Sequence, residues 1–116
     1  MDIDVIPHGL HGCAVVSVTG EVDLFTAPQL RARLADLVAA GELHLVVDLH
    51  QVEFIDSAGL GALVDGIKRT RAAGGSLQLV CTQRWMLSMF DVMGLARVVP
   101  VHAQLEAAAA LCGAEG

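Results

Sequence analysis

The chain has 116 residues, a formal net charge of −6 at neutral pH, 54% hydrophobic residues and 3% aromatic residues. This length predicts a single domain, residues 1–116, whose core is built from aliphatic side chains. The acidic balance excludes the basic surface that nucleic-acid binding requires, and no run of 18 apolar residues predicts a membrane span, so we expect protein partners.

The first predicted elements are an antiparallel β-hairpin and a helix. Residues 3–6 and 13–19 alternate apolar and polar side chains, as two strands joined by a turn do. Thr26 and Gln29 have the spacing of a capping box, which predicts a helix that ends near Gly41. The predicted buried stripe of this helix consists of Ala27, Leu30, Leu34, Leu37 and Val38.

Strands and helices alternate in the rest of the chain. Strands are predicted at residues 43–49, 76–81 and 98–101, helices at 57–73, 85–93 and 104–111, and a loop at 50–56. We interpret one apolar series as core packing, namely Trp85, Met86, Met89, Phe90 and Met93. The order predicts an α/β fold with a mixed sheet of about five strands and about four helices, an initial hairpin being followed by strand-helix alternation.

Ser57 lies where the second predicted helix begins. The first backbone N–H groups of a helix have no partner within it, and the aligned peptide dipoles favour negative charge there. A phosphate on the Ser57 hydroxyl would therefore be accommodated. Capping alone is the commoner role for a serine in such a position, and the two roles are compatible.

Glycines make this second helix unusual. Gly59, Gly61 and Gly66 each weaken it by about 1 kcal/mol relative to alanine. The residues that form its apolar stripe are Leu60, Leu63, Val64 and Ile67. The opposite side is predicted to carry Ala58, Gly61, Ala62 and Asp65. Small side chains next to Ser57 would form a flat surface on which another protein could dock.

Known catalytic and ligand-binding motifs are missing from the sequence. The residues around Ser57 lack the first glycine of a nucleophile elbow, and the five histidines form no metal-binding pair. The glycines after Ser57 do not match a dinucleotide fingerprint. We interpret Asp56 as a carboxylate favoured by the helix dipole rather than a general base. The sequence therefore predicts a binding protein without metal or cofactor, and a hydrolase that uses Ser57 is the least favoured alternative.

The beginning of the chain and its cysteines indicate the compartment. Residues 1–4 are acidic, unlike the basic start of a signal peptide, so we expect a cytoplasmic protein. The three cysteines, Cys13, Cys81 and Cys112, include no closely spaced pair and predict neither a disulfide framework nor a zinc site. We expect Cys13 and Cys81 to be small buried hydrophobic residues.

Several motifs resemble those of the STAS-domain family of bacterial anti-sigma factor antagonists, over nearly the whole chain. They are GEVD at residues 20–23 with TAP at 26–28, DSAGLG at 56–61, and the later landmarks at 73–79 and 94–95. The resemblance implies a STAS fold and a phosphorylation switch. Ser57 would be phosphorylated by an anti-sigma factor that is also an ATP-dependent serine kinase, and a PP2C-type phosphatase would remove the phosphate. The unmodified protein would bind that kinase and release its sigma factor.

The resemblance and the surface argument together predict the partner-binding residues. Asp23 and Asp56 match family aspartates close to the phosphorylated serine. The full predicted set is Asp23, Asp56, Ser57, Ala58, Gly59, Gly61, Ala62 and Asp65. Residues 82–86 and Met93 depart from the commoner family pattern, which bears on the identity of the partner. The alternative function is a STAS scaffold or ligand-binding module that phosphorylation does not control, in a stress-signalling or transporter-associated complex.

Overall fold

The computed structural model describes residues 1–115, apart from the side chains of residues 8, 10 and 112–115. Its elements, in chain order, are β1 (Asp2–Leu10), β2 (Cys13–Val22), α1 (Ala27–Ala39), β3 (His44–Ile55), α2 (Ser57–Ala72), β4 (Ser76–Val80), α3 (Arg84–Val92), a 3-10 turn (Leu95–Arg97), β5 (Val101–His102) and α4 (Leu105–Glu115). The predicted α/β class, with five strands and four α-helices, is confirmed.

The five strands form one mixed sheet in the order β1-β2-β3-β4-β5. β1 is antiparallel to β2, and the other neighbours are parallel. The main core lies on one face and joins side chains of α1, α2 and α3 to the sheet, whereas a smaller cluster on the other face joins Ala108 and Ala109 of α4 to Cys13, Val46 and Val80. Among the helices of the described residues, none has the length and apolar character needed to cross a bilayer.

β3 is longer than the sequence indicates, and the predicted loop at 50–56 is wrong. The strand continues to Ile55 because Val52 and Ile55 are buried and pair with Gly20 and Val22 of β2. The pairing register shifts twice along β2 and β3, which breaks the alternation of buried and exposed side chains. In the sequence, this irregular order of apolar and polar residues resembles that of a loop.

The capping box predicted at Thr26 does not form. Thr26 has helical backbone angles, φ −97° and ψ −24°, and its side chain makes no cap hydrogen bond. A capping residue normally has extended backbone, which points its oxygen at the next turn of the helix. The Thr26 hydroxyl instead donates a hydrogen bond to the carbonyl oxygen of Glu21 at 2.9 Å and accepts one from the backbone N–H of Asp23 at 2.9 Å.

Two predictions for the C-terminal half need correction. Residues 98–100 are not part of a strand: they follow the 3-10 turn at Leu95–Arg97, and the strand, β5, covers only Val101–His102. Of the series interpreted as core, Met86 and Phe90 are buried, whereas Trp85 and Met93 are 42% and 60% exposed. α3 is short and packs on the sheet with one side, so only every third or fourth residue reaches the core.

The cysteines are as expected where the structure describes them. Cys13 and Cys81 are free thiols and both are buried. Burial raises the pKa of the Cys81 thiol, which keeps it protonated and unreactive. The side chain of Cys112 lies outside the described residues.

Candidate functional site

The candidate site lies at one edge of the sheet, where β2 and β3 end side by side. Val22 pairs with Ile55, and the backbone N–H of Asp56 donates to the carbonyl oxygen of Val22 at 3.2 Å. The loop after β2 and the start of α2 are therefore neighbours. Because parallel strands carry their functional loops at the carboxyl edge, this juxtaposition follows from the topology.

Asp56 is the residue that caps α2. Its Oδ1 accepts hydrogen bonds from the backbone N–H groups of Ala58 at 2.9 Å and Gly59 at 3.1 Å, and its backbone is extended. Its Oδ2 accepts a third hydrogen bond, from the backbone N–H of Leu24 at 3.1 Å. The interpretation of Ser57 as the cap is wrong, because the carboxylate one residue earlier already satisfies the free N–H groups.

Ser57 is the first residue of the 16-residue helix α2, and its side chain is exposed. None of the side chains and backbone groups that the structure describes forms a hydrogen bond with its hydroxyl. The hydroxyl therefore faces solvent at the positive end of the helix dipole. The exposure of Ser57 makes this oxygen accessible to an enzyme that transfers a group to it.

Asp23 organises the loop between β2 and α1. Its Oδ1 accepts hydrogen bonds from the backbone N–H groups of Phe25 and Thr26, both at 3.0 Å, and from the Thr26 hydroxyl at 3.1 Å. The backbone hydrogen bond from Thr26 is the largest cause that lowers the pKa of Asp23 below its ordinary value of 3.8. Asp23 is thus a fixed negative charge that holds the start of α1.

The predicted flat surface of small residues is partly wrong. Gly59 and Ala62 are buried. A Cβ atom on Gly59 would lie 2.6 Å from the carbonyl oxygen of Val22 and 2.6 Å from Cγ1 of Ile55, so this glycine allows α2 to press against the two strands. Ala58, Gly61 and Asp65 remain partly exposed. Asp65 forms an ion pair with Arg69, Nε to Oδ2, at 2.7 Å.

Two exposed apolar side chains were not predicted as part of the site. Leu24 and Phe25, in the loop after β2, are 67% and 88% exposed. Leu24 also borders a groove of about 490 Å³ between α1 and α2, which Ala27, Pro28, Arg31 and Ala58 help to line. The available signal was the position of two apolar residues between Asp23 and Thr26, in a loop where polar residues are usual.

The comparisons with known proteins identify the family. A family model described as the STAS domain matches residues 5–108. The chain belongs to the STAS domain family. The anti-sigma-B factor antagonist of Bacillus subtilis is 35% identical over 91 residues, which cover 78% of this chain and 83% of that protein.

Solved structures agree with this STAS assignment. A crystal structure of an anti-sigma factor antagonist from Mycobacterium paratuberculosis has a TM-score of 0.83 and 30% identity, and the alignment covers 96% of this chain and 94% of that one. The Bacillus cell fate determinant SpoIIAA in its phosphorylated form has a TM-score of 0.70 and 20% identity, with 91% and 96% covered. The second comparison shows a shared fold.

A further residue of this STAS domain that was not predicted is Gln83, which follows β4. Its side-chain Nε2 lies 2.8 Å from the carbonyl oxygens of Leu49 and Val52 and 3.0 Å from that of His50. These carbonyl groups belong to the part of β3 that extends past the last pair with β4, Asp48 with Val80. Gln83 thus provides hydrogen bonds that a longer β4 would have supplied.

The histidine nearest to Ser57 in sequence has another partner. His50 Nδ1 lies 2.5 Å from Oδ1 of Asp48. In the part of the chain that the structure describes, no three His, Cys, Asp or Glu residues are placed to hold a metal ion. The described site therefore presents an exposed hydroxyl, fixed carboxylates and apolar side chains, which suits protein binding.

Proposed function

We propose that this STAS domain is an anti-sigma factor antagonist in which phosphorylation of Ser57 switches binding in the cytoplasm. Unphosphorylated, it binds an anti-sigma factor that is also a serine kinase, and the kinase then releases its sigma factor. A PP2C-type phosphatase reverses the modification. The observation that carries this proposal is the exposed Ser57, the first residue of α2, directly after Asp56, whose carboxylate binds the backbone of Leu24.

The phosphoryl transfer needs little from this chain. The γ-phosphoryl group of ATP held by the kinase moves to Oγ of Ser57, the hydroxyl loses its proton, and ADP leaves. Both carboxylate oxygens of Asp56 accept backbone hydrogen bonds, so this neighbour is committed to the fold. The base that receives the proton is therefore a residue of the kinase.

The phosphate changes the docking surface without refolding it. Phosphorylation adds about −1.5 to −2 charges at neutral pH. Asp23 and Asp56 already hold negative charge nearby, and the exposed Leu24 and Phe25 offer a partner apolar contact. A dianion beside apolar side chains must keep its hydration, which opposes close contact. The partner therefore leaves when Ser57 is modified.

The partner surface consists of the exposed and half-buried members of the predicted set together with the two apolar residues. Its centre is formed by Asp23, Asp56, Ser57 and Ala58, and Gly61 and Asp65 extend it along α2. Gly59 and Ala62 are removed from the set because they are buried in the core. They support the surface from below.

The decisive experiment is phosphate transfer followed by intact mass. The protein is incubated with ATP and an anti-sigma factor kinase encoded near its gene. We expect the mass of one phosphate on the wild type and on Ser88→Ala, an exposed serine of α3 that serves as the control, and none on Ser57→Ala. No transfer to the wild type would favour the alternative, a STAS scaffold that phosphorylation does not control.

A second measurement tests the mechanism of the switch. Trp85, at 42% exposure, reports partner binding through its fluorescence. We expect the phosphorylated protein to bind the kinase at least tenfold more weakly, about 1.4 kcal/mol. Amide spectra should change only near Ser57 and the loop after β2. Changes throughout the core would contradict a local mechanism.

A further inference from the structure

Arg31 of α1 reaches across to α2 at Gly61, four residues after Ser57. Its Nη2 atom lies 3.4 Å from the position that a Cβ atom on Gly61 would occupy. Arg31 is exposed and lines the groove between the two helices together with Leu24 and Ala58. Among the described side chains, no carboxylate forms an ion pair with its guanidinium.

Helix geometry places this guanidinium next to the serine. Ser57 and Gly61 are four residues apart and lie on the same face of α2, where Cβ positions are about 5–6 Å from each other. A side chain on a helix leans toward the N-terminus and covers the turn before its own Cα. Because the guanidinium lies at contact distance from the Cβ position of Gly61, it is within about one helical turn of Ser57, the first residue of α2.

We propose that Arg31 is the receptor for the phosphate on Ser57: the guanidinium binds the phosphate within the same molecule and holds it over the groove between α1 and α2. This inference rests on the proposed phosphorylation of Ser57. It names the group that receives the charge. Arginine binds phosphate through two parallel N–H···O hydrogen bonds, and its exposed side chain has the freedom to adjust.

Two other charged side chains, those of Asp56 and Arg69, are less suited than Arg31 to bind the phosphate. Asp56 is committed to three backbone N–H groups. Arg69, which also lines the groove, is paired with Asp65, and its backbone lies twelve residues along α2 from Ser57, a rise of about 18 Å. A Cβ atom on Gly61 would meet the guanidinium at 3.4 Å, so alanine fits there, whereas a side chain longer than alanine would compete with the guanidinium for this space.

The phosphate then alters the groove as well as the end of the helix. In the unmodified protein, the Arg31 guanidinium is available to a carboxylate of the partner. In the modified protein, the phosphate of the same chain takes it. One modification thus adds negative charge beside Leu24 and removes the positive group from the groove, which is a stronger change than repulsion alone.

The test is a phosphorus NMR titration of protein with phosphoserine at position 57. Phosphoserine is incorporated during translation with a suppressor transfer RNA, so no kinase is needed. In the wild type we expect the second pKa of the phosphate to lie below its ordinary value of about 6. In Arg31→Gln we expect it to rise by about half a pH unit, because a nearby positive charge favours the dianion. Salt at 1 M should remove most of this difference.

Arg33→Gln is the matched control, because Arg33 lies on the same helix and borders a different cleft with Ile3 and Asp36. It changes the net charge equally and should titrate like the wild type. Arg31→Lys, which keeps the charge, should titrate between the wild type and Arg31→Gln. Identical midpoints in the wild type and Arg31→Gln would overturn the role of Arg31 and leave the switch standing. Failure of the kinase to modify Ser57 would contradict the proposed function and leave this titration valid.

Discussion

The carboxylate of Asp56 accepts a hydrogen bond at 3.1 Å from the backbone N–H of Leu24, which joins the start of α2 to the loop after β2. The same carboxylate caps α2 through Ala58 and Gly59. One side chain therefore fixes both segments that surround Ser57. The geometry of the site depends on Asp56, and its chemistry depends on the residue that follows.

Asp56→Ala should lower the free energy of unfolding by about 1–2 kcal/mol, because three backbone N–H groups lose their acceptor. Asp56→Asn keeps an oxygen acceptor and should lose less. Ser57→Ala should change stability by no more than about 0.5 kcal/mol, since an exposed side chain is removed. Urea unfolding measures all three. An equal loss in Ser57→Ala and Asp56→Ala would show that Ser57 shares the capping role.

Alanine at two neighbouring glycines of α2 should have opposite effects. Gly59→Ala should destabilise by about 1–3 kcal/mol, because the new Cβ would lie 2.6 Å from the Val22 carbonyl oxygen. Gly61→Ala should stabilise by about 0.5–1 kcal/mol, because its Cβ meets Arg31 at an ordinary 3.4 Å and alanine favours helix. Thermal unfolding of Gly59→Ala and Gly61→Ala measures both effects, and each variant is the control for the other. If both substitutions changed the stability in the same direction, this would contradict the packing described at Gly59.

The sequence correctly predicted that α2 begins at Ser57, but it did not predict the role of the glycines. A wheel of α2 separates Leu60 and Leu63 from the small residues, yet it carries no information about a third element that lies over them. α1 packs close to α2: a Cβ on Gly66 would lie 2.8 Å from Cδ1 of Leu34. A glycine required by a neighbouring helix and a glycine required by a partner protein look identical in one sequence.

Side-chain contacts between distant segments could not be predicted. Gln83 binds carbonyl groups more than thirty residues earlier, and Arg31 reaches α2 from α1. Periodicity identifies strands and helices because it is local. The Gln83 contacts depend on how far β3 extends past β4, and the Arg31 contact depends on how α1 packs beside α2. The register shifts between β2 and β3 also disguised the end of β3 as a loop.

Asp23 should make stability depend on pH in the acidic range. Its pKa is lowered in the folded protein, mainly by the backbone hydrogen bond from Thr26. The unfolded chain therefore binds this proton more readily, and the stabilisation is complete above the unfolded pKa and is lost as pH falls. The stability difference between the wild type and Asp23→Asn should stay constant above about pH 5 and then shrink toward pH 3.

Chemical unfolding across that pH range measures the difference, and carbon NMR of the Asp23 carboxyl group should give a midpoint below 3.8. A midpoint at or above this value would contradict the hydrogen bonding described for the loop. Asp4, an exposed residue of β1, supplies the control substitution Asp4→Asn, which lacks this loop network.

Gln83→Ala should destabilise by about 1 kcal/mol or more, because the carbonyl groups of Leu49 and Val52 lose a donor. Gln83→Glu should destabilise further, since a carboxylate would face carbonyl oxygens. Gln51→Ala removes an exposed glutamine from the same region and should have little effect. Amide exchange along β3 should accelerate in Gln83→Ala. Unchanged amide exchange would mean that β3 keeps its position without the hydrogen bonds from Gln83.

The pairing of Val22 with Ile55 has a consequence for how this surface distinguishes its partners. Both segments of the site follow the same residue pair of two neighbouring strands, so the strand pairing sets the spacing between them. A partner protein therefore meets a binding surface whose shape is formed before it binds. Phosphorylation of the serine would then change the charge of this surface while its shape stays the same.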